Sequence, residues 1–419
     1  MPLLSNPRLF RAERLTSFSW KGPAVVEPVG ARMRTGGPAS IAAVALLALN
    51  LRPVISSVPP LTLDIKASFG WDDVQVGLLS AIPILCLALA SPFVPRLAAR
   101  IGRLPTVLMG LSLIALGAGM RLSAELFPAL LVLSAGIGGV GIAIGAVLIP
   151  SFVQQWFPHK ATTTTGLTTA MLIGGGAAAS AITVPLSDWL GSWPRALAFW
   201  AIPALVAFPV WLLIARRMGH REYAPSRRTS LPWRGRAAWS VAAFLALNGM
   251  VFYSLLAWMA PSYDERGWTQ VEGGVLLGYG TAMQVVGAIV ISRMVQRLDD
   301  RRPAYVALVL ATAAALLLVG VAPQFCTWIV IGVLQVGLGA GFALGLALLP
   351  ECSTTPDAAA RATAMAFLIA YSLASLSPVL IGALTSVAHS WTTVYVVLAV
   401  LALGQLAAIL TLPRGATIS

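Results

Sequence analysis

Apolar stretches of about 20 residues recur along this chain from Ala39 to Leu412, with few charges inside them. That feature removes most folds from consideration. A helix of about 20 apolar residues crosses a hydrocarbon core roughly 30 Å thick, and its backbone polar groups are satisfied internally. A helix plus a short loop takes roughly 30 residues, which divides the region into about 12 spans. They read as 39–60, 74–95, 104–122, 126–153, 162–187, 195–215, 237–262, 271–292, 303–322, 326–351, 361–387 and 391–412. A β-barrel would alternate apolar and polar residues with period two, and these runs do not. Charged residues make up 10% of the chain, against about 25% in a soluble domain. The expected fold class is an all-α membrane protein of twelve transmembrane helices in a lipid bilayer.

The net charge is +13, from 28 Lys or Arg against 15 Asp or Glu. The basic residues sit in short loops between spans, which speaks against nucleic acid as a partner. They favour alternate loops, about 23 on one side against 4 (Lys66, Arg121, Arg195 and Arg266) on the other. By the positive-inside rule both termini are expected in the cytoplasm, with the chain in the cell inner (plasma) membrane. Residues 1–38 are polar and basic, lack the features of a secretory signal, and read as a disordered cytoplasmic tail; Met33 is an alternative start. Residues 39–215 are expected to form an N-terminal six-helix bundle and 237–412 a C-terminal one. Between them 216–236, with Arg216, Arg217, Arg221, Arg227, Arg228, Arg234 and Arg236, reads as a basic cytoplasmic linker lying on the anionic leaflet. Residues 413–419 form a short cytoplasmic tail. Cys86, Cys326 and Cys352 lie in or beside apolar spans without the spacing of a metal site or disulfide framework, so neither metal nor cofactor is expected.

The two halves repeat each other. Leu47-Ala48-Leu49-Asn50 recurs as Leu245-Ala246-Leu247-Asn248, and Trp71, Val74, Gly77 and Leu79 recur as Trp268, Val271, Gly274 and Leu276. Gly139, Gly141, Ala143, Gly145, Leu148 and Pro150 recur as Gly339, Gly341, Ala343, Gly345, Leu348 and Pro350. Three matches in order at a near-constant offset of about 200 residues point to an internal duplication. Each half holds an even number of spans, so the halves are parallel repeats about an axis along the membrane normal. Two like bundles can rock against each other around a site at their interface. The dense glycine of spans four and ten suits close helix packing.

Arg52 is the one basic residue this reading places deep within a span. An Arg near the bilayer centre costs about 2.5–3.5 kcal/mol on insertion scales, so it should face the interior or a wet cavity. No Asp or Glu lies deep in any span to neutralise it. An unpaired guanidinium with planar donors suits a small anion or carboxylate. The alternative is that it bonds backbone carbonyls and polar neighbours such as Asn248 and only holds helices together. Pro53 removes a backbone donor beside it and loosens the helix. Asn50 and Asn248 occupy matching positions in the two halves and should face the interior, as glue or as substrate contacts. Tyr253, Tyr279, Gln284 and Tyr371 are further polar groups on which a central cavity would draw. Glu351, at the end of span ten, is either a gate partner for a loop arginine or a solvated helix end. His159, His220 and His389 fall near loops, so co-transport of a proton and facilitated exchange both stay open.

Twelve spans in parallel six-helix halves with a basic central loop resemble the major facilitator superfamily. Members carry Gly-x-Leu-x-Asp-Arg-x-Gly-Arg after span two. This chain has Pro95-Arg96-Leu97-Ala98-Ala99-Arg100-Ile101-Gly102-Arg103, where Leu97, Arg100, Gly102 and Arg103 fit, while Pro95 and Ala99 replace the first glycine and the aspartate. The resemblance implies that Arg96, Arg100, Gly102 and Arg103 serve a gate. Asn50-Leu51-Arg52-Pro53, Val58-Pro59-Pro60-Leu61 and Gly77-Leu78-Leu79-Ser80-Ala81-Ile82-Pro83-Ile84-Leu85-Cys86 are similar to the cyanate and 2-nitroimidazole transporter family. That implies a secondary transporter, expected as a monomer, that moves a small anion or small polar compound by rocker-switch alternating access. The alternative is efflux or uptake of drugs such as nitroimidazoles, although the Gly-Pro-x-x-Gly-Gly order of efflux members is absent from span five. A remote alternative is a non-transporting sensor. The chain lacks the phosphate loop of an ATP-driven pump, and no catalytic cluster of an intramembrane enzyme stands at membrane depth.

Overall fold

A computed structural model of the chain describes residues 37–218, 232–233, 235–298, 300–353 and 356–411. The tail expected over 1–38 lies almost wholly outside the described residues, as do most of the 216–236 linker and the tail 413–419. Twelve apolar helical spans cross the described part: α1 Pro38–Phe69, α2 Asp73–Ile101, α3 Arg103–Ser123, α4 Pro128–Trp156, α5 Thr163–Leu190, α6 Trp193–Arg216, α7 Arg236–Asp264, α8 Gln270–Gln296, α9 Arg302–Val321, α10 Thr327–Leu349, α11 Arg361–Ala388 and α12 Trp391–Leu410. Both described ends therefore lie on one face, called here the terminal face.

The duplication in the sequence is a duplication in the structure. Asp72 caps α2 in a capping box with Gln75, and Thr269 caps α8 in a capping box with Glu272. The two caps stand at the same repeat positions and satisfy the free N–H groups of the same turn. Gly77 on α2 and Gly274 on α8, also repeat-matched, are pressed against the opposite half. A Cβ on Gly77 would come within 2.6 Å of the Pro378 carbonyl oxygen on α11, and one on Gly274 within 2.7 Å of the Ser180 carbonyl oxygen on α5. Thr385 on α11 donates to Asp73 at the start of α2 at 2.9 Å. These crossing contacts lie between mid-span and the face opposite the termini.

α1 departs from a plain span. It is helical over Pro38–Leu49, turns at Asn50 and Leu51, and restarts as Pro53–Ser56 and Thr62–Phe69. The cause is chemical. Pro53, Pro59 and Pro60 supply no N–H, so the carbonyls four residues before them lose their helical donors. The Leu49 carbonyl is pressed instead against Gly175 of α5, where a side chain would collide with it. The Ser56 carbonyl accepts from Ser180 Oγ at 3.2 Å, and the Val54 carbonyl accepts from Arg121 Nη2 at 2.8 Å. The span expected to end at residue 60 continues, bent, to Phe69.

Arg121 is a correction. It was expected in a loop on the sparsely charged side. It is 0% exposed at the end of α3, with Nε 3.3 Å from Ser134 Oγ and Nη1 3.4 Å from Ser57 Oγ. Arg52 is therefore not the one interior arginine. Arg121 falls at the very end of the third expected span, 104–122, so the sequence gives it a place at the membrane edge. The three acceptors that draw it inward come from α1 and α4.

A candidate substrate site at the interface of the two halves

Arg52 stands at the break in α1, as the residue before Pro53, with φ −112° and ψ −32°. Its chain lies over Gly176 of α5, where an added Cβ would meet Arg52 Cβ at 3.1 Å and Ser56 Oγ at 3.1 Å. The guanidinium crosses to the other half. Its carbon sits 4.8 Å from the centroid of the Phe252 ring and 6.0 Å from that of Tyr253, both on α7. Tyr253 meets Tyr371 of α11 at 6.4 Å between ring centroids, and Tyr371 meets Phe367 at 5.5 Å. Both tyrosines lie within electrostatic reach of Arg52.

No described acid pairs with this arginine. The ion pairs Lys66–Asp73 and Arg301–Glu351, at 2.8 and 2.7 Å, stand at the span ends. Arg52 Nη1 is buried without a hydrogen-bond partner, and so is Oδ1 of Asn50, two residues away. A ring face attracts the cation but leaves its N–H donors unused. Arg52 as a residue is half-buried, and an unmade hydrogen bond at its buried Nη1 is costly.

The structure thus brings Arg52, Tyr253 and Tyr371 together, and adds Phe252 and Phe367. The other expected site residues go elsewhere. The Asn50 amide donates to the Leu46 and Pro203 carbonyls at 2.8 and 3.2 Å, within the first half. Asn248 donates to the Leu338 carbonyl at 3.4 Å and lines a small void with Thr312 and Gln405 inside the second half, not beside Arg52. Gln284 donates to Gln335 at 2.8 Å, and the Tyr279 ring packs on Trp328 at 5.2 Å, both on α10. Asp264 is the last residue of α7, and both its carboxylate oxygens are buried without hydrogen-bond partners. Phe252 carries no polar signal of its own. Its one trace in the sequence is its place beside Tyr253.

The expected gate residues lie on the terminal face. Gly102, with φ 90°, ends the helix Val94–Ile101 in a conformation that suits glycine. It turns the chain so that Arg103 donates to Gln155 and Ser151 of α4 at 2.6 and 2.7 Å, over the Phe152 ring at 4.5 Å. At the matching place in the second half, Arg301 pairs with Glu351 at 2.7 Å and donates to the Gln296 carbonyl. Glu351 corresponds to Ser151 in the repeat. Arg96 lies against Phe93 at 5.7 Å, and Arg100 is exposed.

A membrane-embedded pair of repeated six-helix bundles around a central polar interface defines the class: a polytopic transporter. The Major Facilitator Superfamily model matches residues 41–378, and the chain belongs to that superfamily. It is 32% identical to the cyanate transport protein CynX of Escherichia coli (strain K12), over 83% of this chain and 90% of that protein. It is 30% identical to the 2-nitroimidazole transporter of the same organism, over 87% of this chain and 92% of that protein. The D-xylose-proton symporter structure is similar in fold, with a TM-score of 0.70 and 13% identity, covering 91% of this chain and 98% of that one.

Proposed function

We propose that this protein moves a small anion, cyanate-like or a short carboxylate, across the inner membrane by rocker-switch alternating access, with Arg52 as the substrate anchor. The observation that carries this reading is the Arg52 guanidinium, held on Phe252 across the interface with Nη1 buried and unpartnered. A planar fork of donors without a counter-ion is complementary to a small anion. Tyr253 and Tyr371 supply further donors on the other half. The two bodies that rock are residues 39–215 and 237–412, joined by the 216–236 linker, and each monomer holds its own site. The charge asymmetry supports a cytoplasmic terminal face. The crossing contacts toward the opposite face then correspond to a carrier closed outside, with Arg103 and the Arg301–Glu351 pair at the cytoplasmic gate.

Small polar heterocycles are the second reading. It is favoured by the aromatic wall of Phe252, Tyr253, Phe367 and Tyr371 and by the likeness to the 2-nitroimidazole transporter. Thermal unfolding of the detergent-purified protein separates the two. Cyanate, nitrite, formate and 2-nitroimidazole are added to the native protein and to Arg52→Gln. A ligand that binds only the folded state raises its stability. Anion stabilisation present in the native protein and lost in Arg52→Gln is expected. Stabilisation by 2-nitroimidazole alone, equal in both proteins, would replace the anion reading with the second.

A further inference from the structure

The charge at Arg52 has a consequence for the transport cycle itself. Alternating access passes through a state closed on both faces, in which water is excluded from the central interface. The empty carrier must bring Arg52 through that state as an uncompensated cation. The described acids do not rescue it. Asp264 has unpartnered oxygens, but it stands eleven residues beyond Tyr253 on the same helix, roughly 16 Å away at 1.5 Å per residue. Asp73 is held by Lys66 and Thr385, and Glu351 by Arg301. Phe252 offers only a ring face. The anion-loaded carrier crosses the same state with a neutral pair at its centre, and the buried donor is satisfied.

We infer that the protein is an anion exchanger, in which inward movement of one small anion is matched by outward movement of another at the Arg52 site. This rests on the reading of Arg52 as anchor. The loaded form reorients and the empty form stalls, so the counter-substrate on the far side sets the rate. The partner anion is of the same chemical class as the substrate: a compact mono-anion whose oxygen or nitrogen lone pairs fit one guanidinium.

The test is uptake of labelled cyanate, nitrite and formate into liposomes holding the purified full chain, with the membrane potential clamped. Vesicles are either empty or loaded with the same unlabelled anion. Initial uptake about tenfold or more faster into loaded vesicles is expected, the ratio that about 1.4 kcal/mol of barrier produces. Arg52→Gln should lose this preloading effect. Arg52→Lys, which keeps the charge and serves as the folded control if Gln misfolds, should keep it at weaker affinity. Uptake equally fast into empty and loaded vesicles would overturn exchange while leaving Arg52 as anchor. Uptake into empty vesicles driven at the loaded rate by a pH gradient would also overturn it. No anion uptake at all, or a full preloading effect in Arg52→Gln, would overturn the anchor and exchange together.

Discussion

Two interior arginines differ in their partners: Arg121 is fully buried among acceptors, whereas Arg52 is half-buried with its Nη1 unpaired. Arg121 has acceptors in Val54, Ser57 and Ser134 and no exposed surface. Arg52 has a ring and an unused donor. Removing Arg121 leaves the Val54 carbonyl unpaired, which costs about 1–3 kcal/mol. Arg121→Met should therefore lower the Tm of the detergent-solubilised protein, whereas the exposed Arg195→Met should leave it unchanged. Arg52→Met should not lower it, because no protein acceptor is lost. The interior position of Arg52 was legible from the sequence, since a lone Arg in an apolar run should face the protein interior rather than lipid. Arg121 was not, because its acceptors are contributed by distant spans. The same reason scattered the predicted polar set. Tyr253 and Tyr371 reach Arg52, while Gln284 and Asn248 found partners within the second half.

At the level of the helix, the break in α1 places Arg52, and prolines cause it. The glycines of α5 receive it: Gly175 takes the Leu49 carbonyl and Gly176 the stem of Arg52, while Gly174 faces open space. Gly175→Val should cost about 1–3 kcal/mol by overpacking, seen as a lower Tm and lost ligand stabilisation. Gly174→Val, with nothing within 4 Å, should do neither. From sequence, three glycines in a row look equivalent; only the register of α5 against α1 distinguishes them. The end of α10 offers a second check. Cys352 is pushed up in pKa first by burial and then by the Glu351 carboxylate, so its thiolate is scarce at neutral pH. Glu351→Gln removes that carboxylate and breaks the pair with Arg301. Cys352 should then react faster with a maleimide at pH 7, and an unchanged rate would mean that the pair does not guard this corner.

For the molecule as a whole, the duplication explains the shape of the interface. Repeat-matched Gly77 and Gly274 hold α2 on α11 and α8 on α5, so the halves close by two equivalent contacts. The repeat was readable as three matched segments, and ten of the twelve spans fell within four residues of their observed bounds, because a helix in lipid needs a long apolar run; the first two run on past their expected ends to Phe69 and Ile101. Which side of each helix meets the other half was not readable, since all sides are apolar. The double variant Gly77→Leu with Gly274→Leu should hold the halves apart on that face. Tyr253→Cys in a background without native cysteines should then become reactive from the face opposite the termini. The central claim is that a small anion binds at Arg52, and equilibrium binding of labelled cyanate to the purified protein tests it most directly. One saturable site per chain, displaced by formate and nitrite and lost in Arg52→Gln but only weakened in Arg52→Lys, is predicted. Undiminished cyanate binding by a folded Arg52→Gln protein would contradict it.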